Sequence, residues 1–223
     1  MITALSCFLV AYIATSLFRK LALKFNILDI PNSRKIHKEP IPLLGGLAVY
    51  VSVIFGLVLN LAHLRNMLGI FIGATIILII GLIDDIRKLS AVVRIAVQLL
   101  AALTMIAFGI RLNFLPDNLW GNIIEITLTL IWAIGITNAF NYLDGIDGLS
   151  AGIAAISAFF FFIILYQTNQ PQIALASLIL MASCLGFLPH NFKKAKIFLG
   201  DAGSTFIGFT LAGLSIIGNW AEN

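Results

Sequence analysis

Long apolar runs, each cut off by a short polar interval, set the plan of this chain. Runs of roughly 17–20 residues, the length a helix needs to cross a hydrocarbon layer about 30 Å thick, extend approximately over 2–18, 45–62, 67–83, 92–110, 121–139, 149–166, 172–189 and 203–220. The pattern predicts about eight transmembrane helices in one all-α polytopic domain spanning 1–223. Composition agrees: 60% of the residues are hydrophobic, 11% are charged, and the mean hydropathy is +1.03, which excludes a soluble domain. The first run has no basic residue before it and is followed by Arg19-Lys20, so it reads as an N-out anchor and not as a cleavable signal.

Charge then predicts an orientation. Twelve of the 14 Lys and Arg residues fall between runs 1 and 2, 3 and 4, or 7 and 8, leaving only Arg65 and Arg111 on the other side. Basic residues near span ends stay in the cytoplasm, so both termini are expected outside and the basic loops inside. The net charge of +4 then describes a basic cytoplasmic face suited to anionic lipid or phosphate. No nucleic-acid-binding motif is present. Cys7 and Cys184 lie within apolar runs and imply neither a disulfide nor a metal site.

Four polar segments emerge on that same predicted face, and they carry the unusual chemistry. They are Pro31 to Gly46, Asp84 to Ser90, Asn138 to Gly152 and Phe198 to Thr205. Carboxylates beside hydrocarbon are expensive, and their default reading is a site for an ion or charged substrate. Asp84 and Asp85 can simply end a helix and meet Arg87 or Lys88; as an interfacial pair they can also hold a hard cation or a proton in transit. Asp201, in Gly200-Asp-Ala-Gly-Ser-Thr, reads as an N-cap, a metal ligand, or both. Asn138 and Asn141 lie one helical turn apart and present amides on one face ahead of Asp144-Gly-Ile-Asp-Gly148, whose glycines let backbone approach a ligand. His37 reads as solvated or phosphate-facing, His63 as a polar turn residue and His190 as structural. Zinc spacing, a P-loop and a Ser-His-Asp order are missing, which argues against zincin, ATPase and hydrolase readings.

Together these motifs resemble the polyprenyl-phosphate N-acetylhexosamine-1-phosphate transferases, within glycosyltransferase family 4. The resemblance runs from Pro31 to Gly208, and rests on Asp-Asp in the second segment, Asn-x-x-Asn-x-x-Asp-Gly-Ile-Asp-Gly in the third and Gly-Asp-x-Gly-Ser in the fourth. It implies a multi-pass enzyme of the bacterial inner membrane, with its active site facing the cytoplasm. Such an enzyme would transfer a sugar phosphate, GlcNAc-1-phosphate by the look of Arg34-Lys-x-His-x-x-Pro-x-Pro42, from a UDP-N-acetylhexosamine to undecaprenyl phosphate and release UMP. That is the first lipid-linked step of cell-envelope polysaccharide synthesis.

By the same resemblance Asp201 is the Mg²⁺ ligand, with Mn²⁺ able to substitute, and Asp84 and Asp85 are the catalytic acidic pair. Gly145, Ile146 and Asp147 line the uridine pocket, which Lys38, Asn191 and Phe198 complete. Asn141 and Asp144 are further substrate-binding positions, and Arg34 and Lys35 steady phosphates. The partners implied are the UDP-sugar, the polyprenyl phosphate and membrane lipids, and a homodimer is compatible. Family members continue into further helices and a His-rich loop, whereas this sequence stops at Asn223. That leaves as the alternative a short member that binds nucleotide-sugar or lipid phosphate without turnover. A small ion-coupled transporter is a third reading, disfavoured because the acids cluster at one face and not at the midplane.

Overall fold

A computed structural model describes residues 2–31, 39–60 and 65–220. Among them eight helices follow in order: α1 (Ile2–Lys24), α2 (Gly45–Val58), α3 (Leu68–Arg87), α4 (Ala91–Ala107), α5 (Leu119–Leu143), α6 (Leu149–Gln167), α7 (Pro171–Asn191) and α8 (Gly200–Ile217). Each apolar run becomes one helix, but only six are long and apolar enough to cross a membrane. The exceptions are α2, with 14 residues, and α4, with 17. At about 1.5 Å per residue α2 covers about 21 Å, short of a full hydrocarbon layer. Both end before their apolar runs do. Gly109 adopts φ +81° just beyond α4, and the Asn60 amide donates to Gly56 O at 2.9 Å at the close of α2.

One element departs from the all-helical expectation. Leu28–Asp29 (β1) and Ile41–Pro42 (β2) pair antiparallel, Leu28 opposite Pro42 and Asp29 opposite Ile41. The ribbon continues onto the start of α8, since Phe198 N donates to Pro42 O at 2.8 Å, Gly45 N to Phe198 O at 2.9 Å and Gly46 N to Leu199 O at 3.0 Å.

Helix α8 forms the axis of the bundle, packed by α3 and α5 and more lightly by α2 and α6, while α1, α2, α6 and α7 build the remaining layer. Almost every residue of α8 is buried. Between helices in lipid the driving force is close packing, not exclusion of water, so small residues belong at the seams and large apolar ones outside. The side chains obey this. On α1, Cys7, Ala11 and Thr15 face inward at four-residue spacing, while Leu5, Leu9, Ile13 and Leu17 are exposed. On α5 the buried stripe is Gly121, Glu125, Thr129, Ala133 and Thr137. Where α2 meets α8, a Cβ on Gly46 would lie 2.3 Å from Gly203 Cα, so both positions require glycine for that approach.

Polar groups inside the bundle find partners, as hydrocarbon demands, with His190 Nε2 at the end of α7 an exception. Ser52 donates to Cys7 O at 2.7 Å and bonds Ser183 at 2.7 Å, joining α1, α2 and α7. Thr129 and Thr137 return their hydroxyls to carbonyls one turn back, each at 2.7 Å. At the end of α5 remote from Asn141, buried Glu125 accepts Phe114 N at 2.6 Å and Leu115 N at 2.7 Å, which folds the α4–α5 connection onto the helix.

Candidate active site

The four polar segments meet at one end of the bundle, around a crevice of about 1210 Å³. Its lining draws on the ribbon and the stretch before α2, the end of α3, the turn after α5 and the connection from α7 to α8. Five aspartates from four separate elements thus converge, Asp29 from β1, Asp85 from α3, Asp144 and Asp147 from the turn after α5 and Asp201 from α8, an arrangement that spacing along the chain does not reveal.

Asp84 and Asp85 occupy the last turn of α3, with 2% and 8% of their surfaces exposed. Being neighbours on a helix, they point in different directions. Asp84 accepts Leu89 N on one oxygen and Arg94 Nη1 at 3.3 Å on the other. Lys88 takes a left-handed conformation (φ 49°) that turns the chain from α3 into α4, and Ser90 caps α4 by accepting Val93 N, which brings Arg94 back over Asp84. Asp85 instead faces α8, accepting Asp201 N at 2.8 Å and Ala202 N at 3.3 Å. Neither acid pairs with Arg87 or Lys88 at hydrogen-bond distance among the described contacts.

Asp201 lies in the first turn of α8 and is not its N-cap; that position is held by Leu199, which has no capping side chain. The Asp201 carboxylate accepts the Asn141 amide at 2.7 Å, and the same amide reaches Ser204 Oγ at 3.1 Å. Asp84 approaches Asp201 closely enough for the two carboxyls to interact. Besides the crevice, Asn141 and Asp201 border a second cavity of about 30 Å³ between α3, α4, α5 and α8, with Asp84, Arg94, Gln98 and Asn138 on its walls. Asp201 therefore stands where a broad crevice and a narrow interhelical pocket adjoin.

The third polar segment divides its labour. Asn138 turns from Asn141 to the Gln98 side chain, donating at 2.7 Å. Asp144 follows the end of α5 and lines the crevice with Gly145, Ile146 and Asp147. Desolvation, with Asp85 and Asp201 nearby, pushes the Asp144 carboxyl well above the usual carboxylate range, relieved in part by the Gly200 N–H. Asp147 accepts Ala195 N at 2.9 Å, tying this segment to the α7–α8 connection. Gly148, at φ +72°, needs the conformational freedom of glycine, and Gly145 does not.

Of the remaining expected site residues, Phe198 borders the crevice. Asn191 stands behind it, 2% exposed, its carbonyl taking Gly148 N at 3.0 Å and its amide donating to Ile197 O at 2.9 Å. In that position it braces two walls. Arg34, Lys35 and Lys38, with His37 and His63, lie outside the described residues. Four crevice-facing cations carried no expected site role, Arg19, Lys88, Lys194 and Lys196, nor did the partnership of Arg94 with Asp84. The available signal for the latter was Arg94 and Gln98, one turn apart on an otherwise apolar helix.

The family model described as glycosyl transferase family 4 matches residues 67–219. The chain belongs to that family. It is 36% identical to a Bacillus subtilis (strain 168) protein named "Probable undecaprenyl-phosphate N-acetylglucosaminyl 1-phosphate transferase", over 94% of this chain and 60% of that one. It is 34% identical to a decaprenyl-phosphate N-acetylglucosaminephosphotransferase of Mycolicibacterium smegmatis, over 96% and 59%, respectively. The match to the undecaprenyl-phosphate alpha-N-acetylglucosaminyl 1-phosphate transferase of Escherichia coli (strain K12) is 32%, over 90% and 58%. The chain thus spans about 60% of the length of the curated relatives it matches.

Within this family 4 member, the donor set at the crevice is oxygen and amide only. Among the described residues no three His, Cys, Asp or Glu side chains form a metal cage. Asp201, with Asn141 bonded to it and Asp84 close by, has the hard-oxygen character that a magnesium ion prefers, since Mg²⁺ takes one or two carboxylates and leaves positions for water and phosphate.

Proposed function

We propose that this family 4 member transfers GlcNAc-1-phosphate from UDP-GlcNAc to a polyprenyl phosphate, releasing UMP, on the cytoplasmic side of a bacterial inner membrane. The observation that carries the reading is the place of Asp201, between a crevice large enough for a nucleotide-sugar and a pocket among membrane helices. The names of the relatives, which specify polyprenyl phosphate and an N-acetylglucosaminyl phosphate group, favour it over a transporter.

In the reaction, an oxygen of the lipid phosphate attacks the sugar-linked phosphorus of UDP-GlcNAc in line. A new P–O bond forms, the diphosphate bond breaks, and UMP leaves with the bonding pair. Such transfers need positioning and charge neutralisation more than covalent help. Asp201 and Asn141 are the residues suited to hold magnesium, which when bound supplies neutralisation of the diphosphate charge. One member of the acidic pair at the end of α3, Asp84 or Asp85, handles the acceptor, orienting it and taking its proton where it carries one. Gly145, Ile146, Asp147 and Phe198 form the nucleotide-facing wall, and Arg34, Lys35 and Lys38 steady the phosphates.

The test is release of UMP and formation of a lipid-linked sugar phosphate in membranes supplied with polyprenyl phosphate, UDP-GlcNAc and Mg²⁺. Activity is expected in the parent and absent in Asp201→Asn; parent-level turnover in that variant would remove the metal assignment. Binding of UDP-GlcNAc with no UMP released would favour a binding protein instead.

A further inference from the structure

The start of α8 lacks a capping side chain of its own. The first amides of any helix have no intrahelical acceptor, and a Ser, Thr, Asp or Asn just before the helix normally supplies one. Here that position is Leu199, fully buried and apolar. Two amides of the first turn, Asp201 N and Ala202 N, bond instead to the Asp85 carboxylate, which arrives from α3 across the helix interface. The fit is close. Gly200 has φ +73°, and a Cβ there would lie 2.5 Å from Asp85 Oδ2 and 2.8 Å from Leu43 O. One carboxylate on a helix N-terminus also satisfies the dipole, which in an interior shielded from water counts for more than at a surface.

Both oxygens of Asp85 are therefore engaged with backbone at the edge of the crevice, while those of Asp84 take Leu89 N and Arg94 beside the interhelical pocket. We propose that Asp85 is a positioning residue that caps α8 in trans and so orients Asp201. Its bearing on turnover rests on the transferase reading above; the cap itself does not.

The experiment compares Asp85→Asn and Asp85→Ala with the parent in the full chain, by steady-state kinetics and by thermal unfolding in detergent without substrate or metal. Asp85→Asn keeps an oxygen for Asp201 N and retains kcat within about tenfold of the parent, the scale on which one cap bond acts. Asp85→Ala unfolds at a lower temperature than either, and needs more Mg²⁺ for half-maximal rate. A larger loss of kcat in Asp85→Asn, or an unchanged midpoint in Asp85→Ala, would overturn the proposal. Should the parent release no UMP, the transferase reading fails and the unfolding comparison alone decides Asp85: a lowered midpoint upholds the cap, an unchanged one refutes it.

Discussion

Helix α5 carries a buried acidic environment at each end, and the two ends use it differently. Near its start, Glu125 takes two backbone amides of the α4–α5 connection on one oxygen. About 24 Å away along the helix, Asn141 faces Asp201 while Asp85 takes two backbone amides of α8. The local chemistry of Glu125 and Asp85 is the same, a carboxylate completing hydrogen bonds that the backbone would otherwise lack. Their surroundings are not: Glu125 has a folded loop beside it, and Asp85 shares a crevice with four more aspartates. A buried carboxylate in a membrane protein thus does not by itself mark a site; convergence of several from separate elements does.

That contrast can be broken most forcefully at Asp201. Asp201→Asn is expected to lower UMP release by about 10²–10⁴-fold, the scale of lost charge stabilisation at a reacting phosphate, with little change in the unfolding midpoint. Glu125→Ala should do the opposite. Two amides lose their acceptor, at about 1–3 kcal/mol for each that water cannot reach, so the midpoint falls in a detergent melt while the rate at low temperature stays within about twofold. A catalytic loss in Glu125→Ala comparable to that in Asp201→Asn would erase the distinction between the two ends. Gly200→Ala follows, destabilising by about 1–2 kcal/mol for the left-handed backbone alone and pressing on Asp85, so the Mg²⁺ requirement should rise along with the instability. Arg94→Lys is the mildest. The Arg94 side chain is 43% exposed, partly exposed pairs contribute about 0–1 kcal/mol, and Leu89 N still holds Asp84, so only a few-fold change in rate is expected.

The two ends also differ in how legible they were. Apolar run length announced every helix, because spanning hydrocarbon constrains some twenty consecutive positions at once. Runs could not announce the early ends of α2 and α4, which depend on Asn60 and Gly109. Candidate site residues stood out where polarity interrupted a run, as with Asp84, Asp85, Asn141, Asp144 and Asp201, all of which converge. What each contacts was hidden, because a partner on another helix leaves no local trace. Asp85 as a cap for α8, Arg94 over Asp84 and Asn191 as a brace all depend on such cross-helix pairings. Glu125 was overlooked for a related reason: a single acid inside a long apolar run carries no pattern, and its acceptor role appears only when the α4–α5 connection folds back upon it.

The stitching of β2 to the entry of α8 has an evolutionary meaning. Three backbone hydrogen bonds and the Gly46–Gly203 approach bind stretches from opposite ends of the chain into a single strip. Backbone bonds tolerate many side chains, but a seam this narrow leaves little tolerance for bulk on either edge. Substitutions in 40–46 should therefore be inherited together with changes in 198–203, and a defect introduced on one edge should be curable by a second-site revertant on the other.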